Sequence, residues 1–255
     1  MKKIVLALCL LFSGSVFANP IDDKCGHTVI WGAPQIAVEG DNQYICKSGY
    51  GINLNYKTKI AYFVTEHITP AGIATKAAAR KDDFREDTEV PVQYRVTLKD
   101  YTGAGYDRGH ISPAADHVSD AKLMSESFFM SNMMPQAPAI NRGVWRILEE
   151  KIRDAAKDSE IYVITGTIYQ DGYKTIGNGV GVPASMYKIV IQPSTNRVIA
   201  FLIPNEGKID PKELSKYTIS VSDLEAKTGI DFSPAISSDL KILETNVSLY
   251  SDWFK

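Results

Sequence analysis

Cysteine and histidine are scarce in this chain, with three Cys and four His among 255 residues. So few soft ligands leave no Cys/His framework for structural zinc. Charge of one sign is also lacking, because 28 Lys+Arg stand against 30 Asp+Glu for a formal net charge of -2. That balance excludes a globally basic nucleic-acid coat. It leaves open a local basic cleft, since a binding site feels the field around it and not the net charge. No HExxH and no G-x-S-x-G occurs, so zincin protease and α/β-hydrolase chemistry have no support. Internal repeats, low-complexity blocks and long linkers are missing after residue 19. What is present looks ordinary: 44% hydrophobic and 23% charged residues suit a globular protein and exclude disordered, collagen-like and coiled-coil chains. The length allows one sizeable domain or two small ones, and no boundary is visible.

The first residues read as a leader. Lys2 and Lys3 precede an apolar run from Ile4 to Phe12, and Val16-Phe17-Ala18 offers small residues where a signal peptidase needs them. The run is too short for a membrane anchor. Leu8 is not the small residue expected before a lipidated Cys9. Residues 1–18 are therefore expected to be a Sec-type signal peptide, cut after Ala18, which places the protein in the periplasm or outside the cell. Loss of Lys2 and Lys3 leaves 26 basic against 30 acidic residues, a net charge of -4. Loss of Cys9 leaves Cys25 and Cys46, and two cysteines in an oxidising compartment are expected to pair. Such a bond would close a loop of about 20 residues and contribute about 3 kcal/mol.

Strand-like segments recur along the chain. Ile60 to Thr65, Val92 to Leu98 and Ile161 to Tyr169 are apolar, β-branched or aromatic. Met186 to Gln192 and Arg197 to Pro204 flank Pro193-Ser194-Thr195-Asn196 and read as a hairpin. Between them a helix is expected from Asn141, which would cap it, with Val144, Trp145, Leu148 and Ile152 as its apolar stripe. A second helix is expected from Ser222, with Asp223 and Glu225 in its first turn and Gly229 ending it. Strands on both sides of a helix predict an α+β domain with a mixed or antiparallel sheet. Gly177-Asn178-Gly179-Val180-Gly181 lacks the lysine and the strand-to-helix setting of a phosphate loop and reads as a flexible loop.

Two clusters could carry chemistry. His110 follows Tyr106-Asp107-Arg108-Gly109. A guanidinium that forks onto phosphate oxygens beside an imidazole able to take a proton suits phosphodiester chemistry. The second cluster holds Asn132, in Ser131-Asn132-Met133-Met134-Pro135-Gln136, then Asn141, Trp145 and Glu149. On a regular helix from Asn141, positions 145 and 149 lie about 40° and 80° round from it, on one side. Neutral and acidic oxygens with water suit Mg²⁺ or Mn²⁺. The structural alternative is an amphipathic helix with an Asn cap.

The run D-R-G-H (107–110), S-N-x-x-P-Q (131–136) and N-R-G-x-W-x-x-L-E (141–149) resembles the DNA/RNA non-specific endonuclease family, of the Serratia nuclease and endonuclease G type. Weaker echoes extend the likeness over roughly residues 45–235: Ser48-Gly49-Tyr50, Tyr56, Ala61 to Val64, Arg80-x-x-x-Phe84-x-x-Asp87, and Val221 to Phe232. The resemblance implies a ββα-metal (His-Me finger) fold and three segments: a signal peptide at 1–18, an N-terminal extension with the disulfide at 19–44, and the endonuclease domain at 45–255. It implies a Mg²⁺-dependent enzyme, with Mn²⁺ a substitute, that cuts DNA and RNA and leaves 5′-phosphate ends. His110 would be the general base and Asn141 the direct metal ligand. Glu149 would hold the metal's water, and Arg80 and Arg108 would contact phosphate. Asn132 would orient the site, Arg142 would add a cation to the cleft, and Asp107 would be structural. Arg85 competes with Arg80 for the upstream role. Homodimers occur in the family, but neither an interface nor an inhibitor partner is legible here. Two other readings stay open: a nucleic-acid-binding relative without catalysis, and a hydrolase of other phosphodiesters.

Overall fold

The computed structural model describes residues 24–36 and 41–254. The expected leader at 1–18 lies outside the described residues. Strands β1 (Asn42–Cys46), β2 (Tyr50–Asn55) and β3 (Ile60–Ile68) form a meander. A hairpin of β4 (Asp107–His110) and β5 (Met133–Gln136) follows, then β6 (Ile161–Ile168), β7 (Ser185–Gln192), β8 (Arg197–Pro204) and β9 (Thr218–Ile219). Seven of these strands make one antiparallel sheet in the order β9-β8-β7-β6-β3-β2-β1. The β4-β5 hairpin stands apart from it.

The central strands read as nearly continuous apolar runs because both faces of the sheet are covered. Along each strand side chains alternate. Val64, Val163, Met186 and Val190 join Val144, Trp145, Leu148 and Ile152 in one core. Their neighbours Phe63, Ile164, Tyr187 and Ile189 join Val221 and Leu224 in the other. The first core rests on helix α1 (Arg146–Ala155) and the turn before it, the second on helix α2 (Val221–Thr228). This is the α+β arrangement expected, with the sheet antiparallel. α2 begins a residue early because Ser220, not Ser222, caps it; the Ser220 hydroxyl accepts from Asp223 N at 3.1 Å. It ends, as expected, at Gly229.

The hairpin expected over 186–204 forms, one residue longer at Ser185, with Asn196 at φ +50° in its turn. The strand expected over Val92 to Leu98 does not. Those residues make two 3₁₀ turns, Val92–Tyr94 and Leu98–Tyr101. Pro91 lacks an N–H, Arg95 Nε donates to Val90 O at 2.7 Å, and Asp100 folds back to accept from Thr97 N at 2.7 Å. Tyr94 stacks on Tyr56 with centroids 4.0 Å apart. Local hydrogen bonds and one aromatic contact thus outweigh β propensity.

The Cys25–Cys46 disulfide is present, with a Cα–Cα distance of 5.7 Å. It ties the segment before β1 to the sheet. Thr28 Oγ1 lies 2.8 Å from Thr65 Oγ1, Ala33 is buried in the second core, and Gln35–Ile36 pairs with Ile230–Asp231. Residues 24–36 therefore pack as part of the same unit. The glycine-rich loop is held and not free: Gly177, at φ +48°, presses against Asp100, whose Oδ1 accepts from Asn178 N at 2.7 Å. A carboxylate on that N–H is the opposite of a phosphate cradle. Among the described residues no helix is long and apolar enough to cross a membrane.

Candidate active site

Every residue singled out for chemistry lies between β3 and β6, two neighbours in the sheet, so one long excursion of the chain carries the site. Its frame is the β4-β5 hairpin, in register Asp107↔Gln136 to His110↔Met133, followed by α1. Gly109 is required there: a Cβ would fall 2.1 Å from Gln136 Oε1 and 2.7 Å from Gln136 Cβ. Strand alternation puts Arg108 and His110 on one side of the hairpin.

His110 sits among aromatic rings. Its ring meets Phe128 edge-on at 4.9 Å and Phe84 at 5.7 Å. Its Nε2 is buried and has no hydrogen-bond partner. Two guanidiniums stand on the same rings, Arg108 at 4.3 Å over Phe84 and Arg80 at 5.1 Å over Phe128. Burial, then the charges of Arg80, His117 and Arg108, push the imidazole down to about 3. The ring is therefore neutral at pH 7, with proton-accepting capacity beside two cations.

The Arg80 and Arg85 alternatives separate by geometry. Arg85 Nη1 donates to Asp83 O, Asp83 Oδ2 and Ser125 O, and the guanidinium covers Phe129 at 4.1 Å. It pins its own loop. Arg80 makes one exposed pair with Asp82 and stands near His110. Asn132 is fully buried, with both amide N–H groups spent. It accepts from Ser112 N, and donates to Ser112 O and Ser127 O, all at 2.9 Å. Those bonds clamp the strap after His110.

The helix expected to start and be capped at Asn141 starts earlier. Pro138–Ile140 forms the first turn with Pro at N1, a wide π turn spans Asn141–Trp145, and α1 continues from Arg146. Gly143, at φ -104° and ψ -114°, breaks the regular spiral, so the regular-helix angles do not hold from Asn141 to Trp145. Asn141 is thereby released from capping. Its Nδ2 donates to Asp107 Oδ2 at 2.9 Å. A carboxylate can only accept, so the NH₂ must face Asp107 and the amide oxygen faces away. Arg142 also grips Asp107, through Nε at 2.8 Å and Nη2 at 2.6 Å. Burial raises the Asp107 carboxyl, but the Arg142 and Asn141 hydrogen bonds outweigh it and hold it below the usual range. Asp107 is thus the orienting anchor of Asn141, and Arg142, expected to face substrate, spends its fork on that anchor.

Glu149 lies one turn beyond Trp145. Burial raises its carboxyl to about 7, Lys188 opposes, Asp116 adds and Arg153 opposes. Among the described residues no three His, Cys, Asp or Glu side chains converge on a cation position. A cation here would rest on Asn141 and Glu149 with water, an all-oxygen set that fits Mg²⁺. The locked Asn141 amide, oxygen outward, supports that fit.

Beneath these groups lies a buried polar layer that the sequence reading missed. Ser112 Oγ donates to Glu66 Oε2 at 2.6 Å and lies 2.7 Å from His117 Nε2. Arg153 donates to Asp116 at 2.8 Å, and Lys188, itself fully buried, donates to Thr165 Oγ1 at 2.7 Å. Burial, then Asp116, raise the Glu66 carboxyl. Burial lowers His117. A charged residue inside an apolar strand, as Glu66 is in β3 and Lys188 in β7, is the signal that could have exposed this layer.

The chain matches the family model described as DNA/RNA non-specific endonuclease over residues 32–239. It is 33% identical to a nuclease of Nostoc sp., over 82% of this chain and 80% of the relative. It is 30% identical to mitochondrial endonuclease G of Homo sapiens, over 83% and 74% respectively. Among solved structures, the EndoG/EndoGI complex described for the mechanism of EndoG inhibition aligns with a TM-score of 0.75 at 27% identity. That alignment covers 84% of this chain and 92% of that one.

Proposed function

The chain belongs to the DNA/RNA non-specific endonuclease family, and from that premise we propose an exported, Mg²⁺-dependent endonuclease that hydrolyses DNA and RNA without sequence preference and leaves 5′-phosphate ends. The observation that carries the reading is the pairing of two preparations on one ββα frame. A neutral imidazole packs on the two aromatic rings that also carry Arg80 and Arg108. An asparagine is held by its Nδ2 on Asp107, which leaves its oxygen facing away from that carboxylate.

In this proposal His110 accepts the proton of the attacking water, which a neutral ring can do and a charged one cannot. Arg80 and Arg108, steadied on Phe128 and Phe84, bind the phosphate oxygens and offset the charge that builds there. Asn141 would hold the metal directly and Glu149 through water; when bound, the ion supplies charge stabilisation at the phosphate and the leaving oxygen. Mn²⁺ would substitute. Asn132 and Asp107 hold the His110 strap and the Asn141 amide in place, and Arg142 holds Asp107. Recognition through phosphate rather than base edges accounts for the lack of sequence preference. The leader at 1–18 and delivery to the periplasm or beyond are part of this proposal, as is an N-terminal extension at 19–44 whose described residues 24–36 pack into the endonuclease domain of 45–255 as one unit.

Digestion of plasmid and of RNA by the purified protein, with Mg²⁺, with Mn²⁺ and with EDTA, tests it. Cleavage of both polymers with either metal and none with EDTA is expected. Binding without cleavage, or cleavage in excess EDTA, would overturn it.

A further inference from the structure

One buried set of polar groups takes no part in holding phosphate or a cation, yet it touches the His110 strap and faces Glu149. We propose that Glu66 is a positioning residue for His110, acting through the Ser112 hydroxyl. This rests on the nuclease reading above and adds to it.

The His110 ring is held by packing and by its backbone. Its Nε2 makes no hydrogen bond, so that atom does not fix the ring's direction. The ring is set by Phe84 and Phe128 and by the backbone on either side. On the near side that backbone is strand β4. On the far side it is Ile111 and Ser112. Ile111 N donates to Asn132 O at 2.9 Å, and Asn132 takes both backbone groups of Ser112. Asn132 belongs to the same excursion as His110, however. Hydrogen bonds within the excursion fix its internal shape and leave its seat on the sheet undefined.

Tyr50 and Lys47 tie the excursion to the sheet at Glu126 and Asp87, and the Ser112 side chain is the hydrogen-bonded tie beside His110. Its hydroxyl donates 2.6 Å into Glu66, on β3, while His117 Nε2 stands 2.7 Å from the same oxygen. Ser112 Oγ bridges the two side chains, and which of Ser112 and His117 donates follows the protonation of Glu66 and the His117 tautomer. His117 is wedged in turn: a Cβ at Gly49 would lie 2.7 Å from its Nδ1, and Tyr50 packs on its ring at 5.7 Å. Glu66, Ser112 and His117 are all nearly free of solvent contact. A hydrogen bond in such surroundings is directional and costly to leave unmade. Glu66 also feels Asp116, Lys188 and Glu149, so the carboxylate that seats the His110 strap lies within the field of the helix bearing Glu149. A displacement of about 1 Å at a reacting group can cost about 10²-fold in rate.

The test uses Ser112→Ala, Glu66→Ala, Glu66→Gln and the Ser112→Ala/Glu66→Ala double variant, each checked by circular dichroism and thermal melting. Rates are measured on a defined DNA duplex. Ser112→Ala and Glu66→Ala are each expected to lower kcat about 10- to 100-fold, as outer-shell partners do, with KM and the Mg²⁺ requirement unchanged. The double variant should be no slower than the worse single one, because both remove the same link. Glu66→Gln keeps an acceptor for the hydroxyl and should retain most of the rate. Wild-type kcat in Ser112→Ala, multiplied losses in the double variant, or a loss that appears in KM or in metal requirement would each overturn the proposal. If Glu66→Ala does not fold, Ser112→Ala against Glu66→Gln decides alone: loss with retention supports the link, any other pattern refutes it. His110→Ala is run beside them. If it stays active, the assignment of His110 as the general base fails; if it is inert while Ser112→Ala is fully active, only the positioning role fails.

Discussion

Replacing Asp107 by Asn should damage metal use without touching the proton step. Asp107 accepts three hydrogen bonds, two from Arg142 and one from Asn141 Nδ2 at 2.9 Å. The Arg142 share matters little, since the guanidinium is largely exposed and such pairs contribute about 0–1 kcal/mol. The Asn141 share matters more. As a carboxylate, Asp107 permits one orientation of the neighbouring amide; as an amide it can offer either oxygen or NH₂, and Asn141 can then turn. A hydrogen bond to a charged group is worth about 1.5–3 kcal/mol, roughly one to two factors of ten in binding. The Mg²⁺ concentration for half-maximal cleavage should therefore rise about 10- to 100-fold, in the range found for outer-shell partners. At saturating Mg²⁺ the rate should return close to wild type. The assay is plasmid cleavage across a Mg²⁺ titration, with melting curves to exclude unfolding. An unchanged Mg²⁺ midpoint, or a loss that no amount of metal restores, would refute the assignment of Asp107 as the anchor of Asn141.

His110→Ala should lose about 10²- to 10⁴-fold in rate, the usual share of a general base, and added Mg²⁺ should not restore it. Asn141→Ala should be partly relieved by more Mg²⁺ or by Mn²⁺, and equal rescue of both variants would collapse the distinction. Because burial and the nearby arginines hold His110 low, its neutral form persists into mild acid; kcat/KM should fall on the acid side with a midpoint below the ordinary His value of about 6.5, and a midpoint above it would contradict the site geometry. Cleavage should weaken as salt rises, because phosphate contacts release counterions, and a rate flat to several hundred millimolar would argue against phosphate binding by Arg80 and Arg108. Oxidised protein should show no alkylatable thiol at Cys25 or Cys46, and reduction should lower the melting temperature more than it lowers kcat, in line with a bond worth about 3 kcal/mol.

Much of the frame is legible in the residues because it follows from repeating physics. The apolar runs at 60–68, 161–168 and 185–204 fold as strands because both faces of the sheet are covered, and the stripe Val144, Trp145, Leu148 and Ile152 is buried as its spacing requires. Local exceptions are where the reading parts from the fold. Val92 to Leu98 has strand composition, but Pro91, Arg95 and Asp100 turn it into 3₁₀ segments. Asn141 has the look of a cap, yet Pro138 starts the helix three residues earlier and the π turn frees the amide for Asp107. Arg142 looks like a cleft cation until its fork is found closed on Asp107. A hydrogen bond between residues 34 or 35 positions apart leaves no periodic trace.

The polar layer under the site shows why some of the machinery is hidden from a sequence. Glu66 and Lys188 lie in apolar strands, where an unpaired charge costs several kcal/mol and even a paired one is often less stable than a hydrophobic replacement. Neither is therefore explained by folding alone. Both face the same region: Lys188 lies 5.1 Å over the Trp145 ring and favours the charged form of Glu149, while Glu66 takes the hydroxyl two residues beyond His110. Arg153 and Asp116 complete the layer from α1 and from the turn after His110. The four charges come from β3, β7, α1 and that turn, so each looks like an isolated misfit along the chain. Only the antiparallel order β7-β6-β3 and the helix packed across it bring them together. If that layer existed only to stabilise the fold, replacing Lys188 by Met should lower the melting temperature and leave kcat intact well below the melt. If it also holds the two halves of the site, the same replacement should lower kcat at temperatures where the variant is fully folded, beyond any loss of melting temperature.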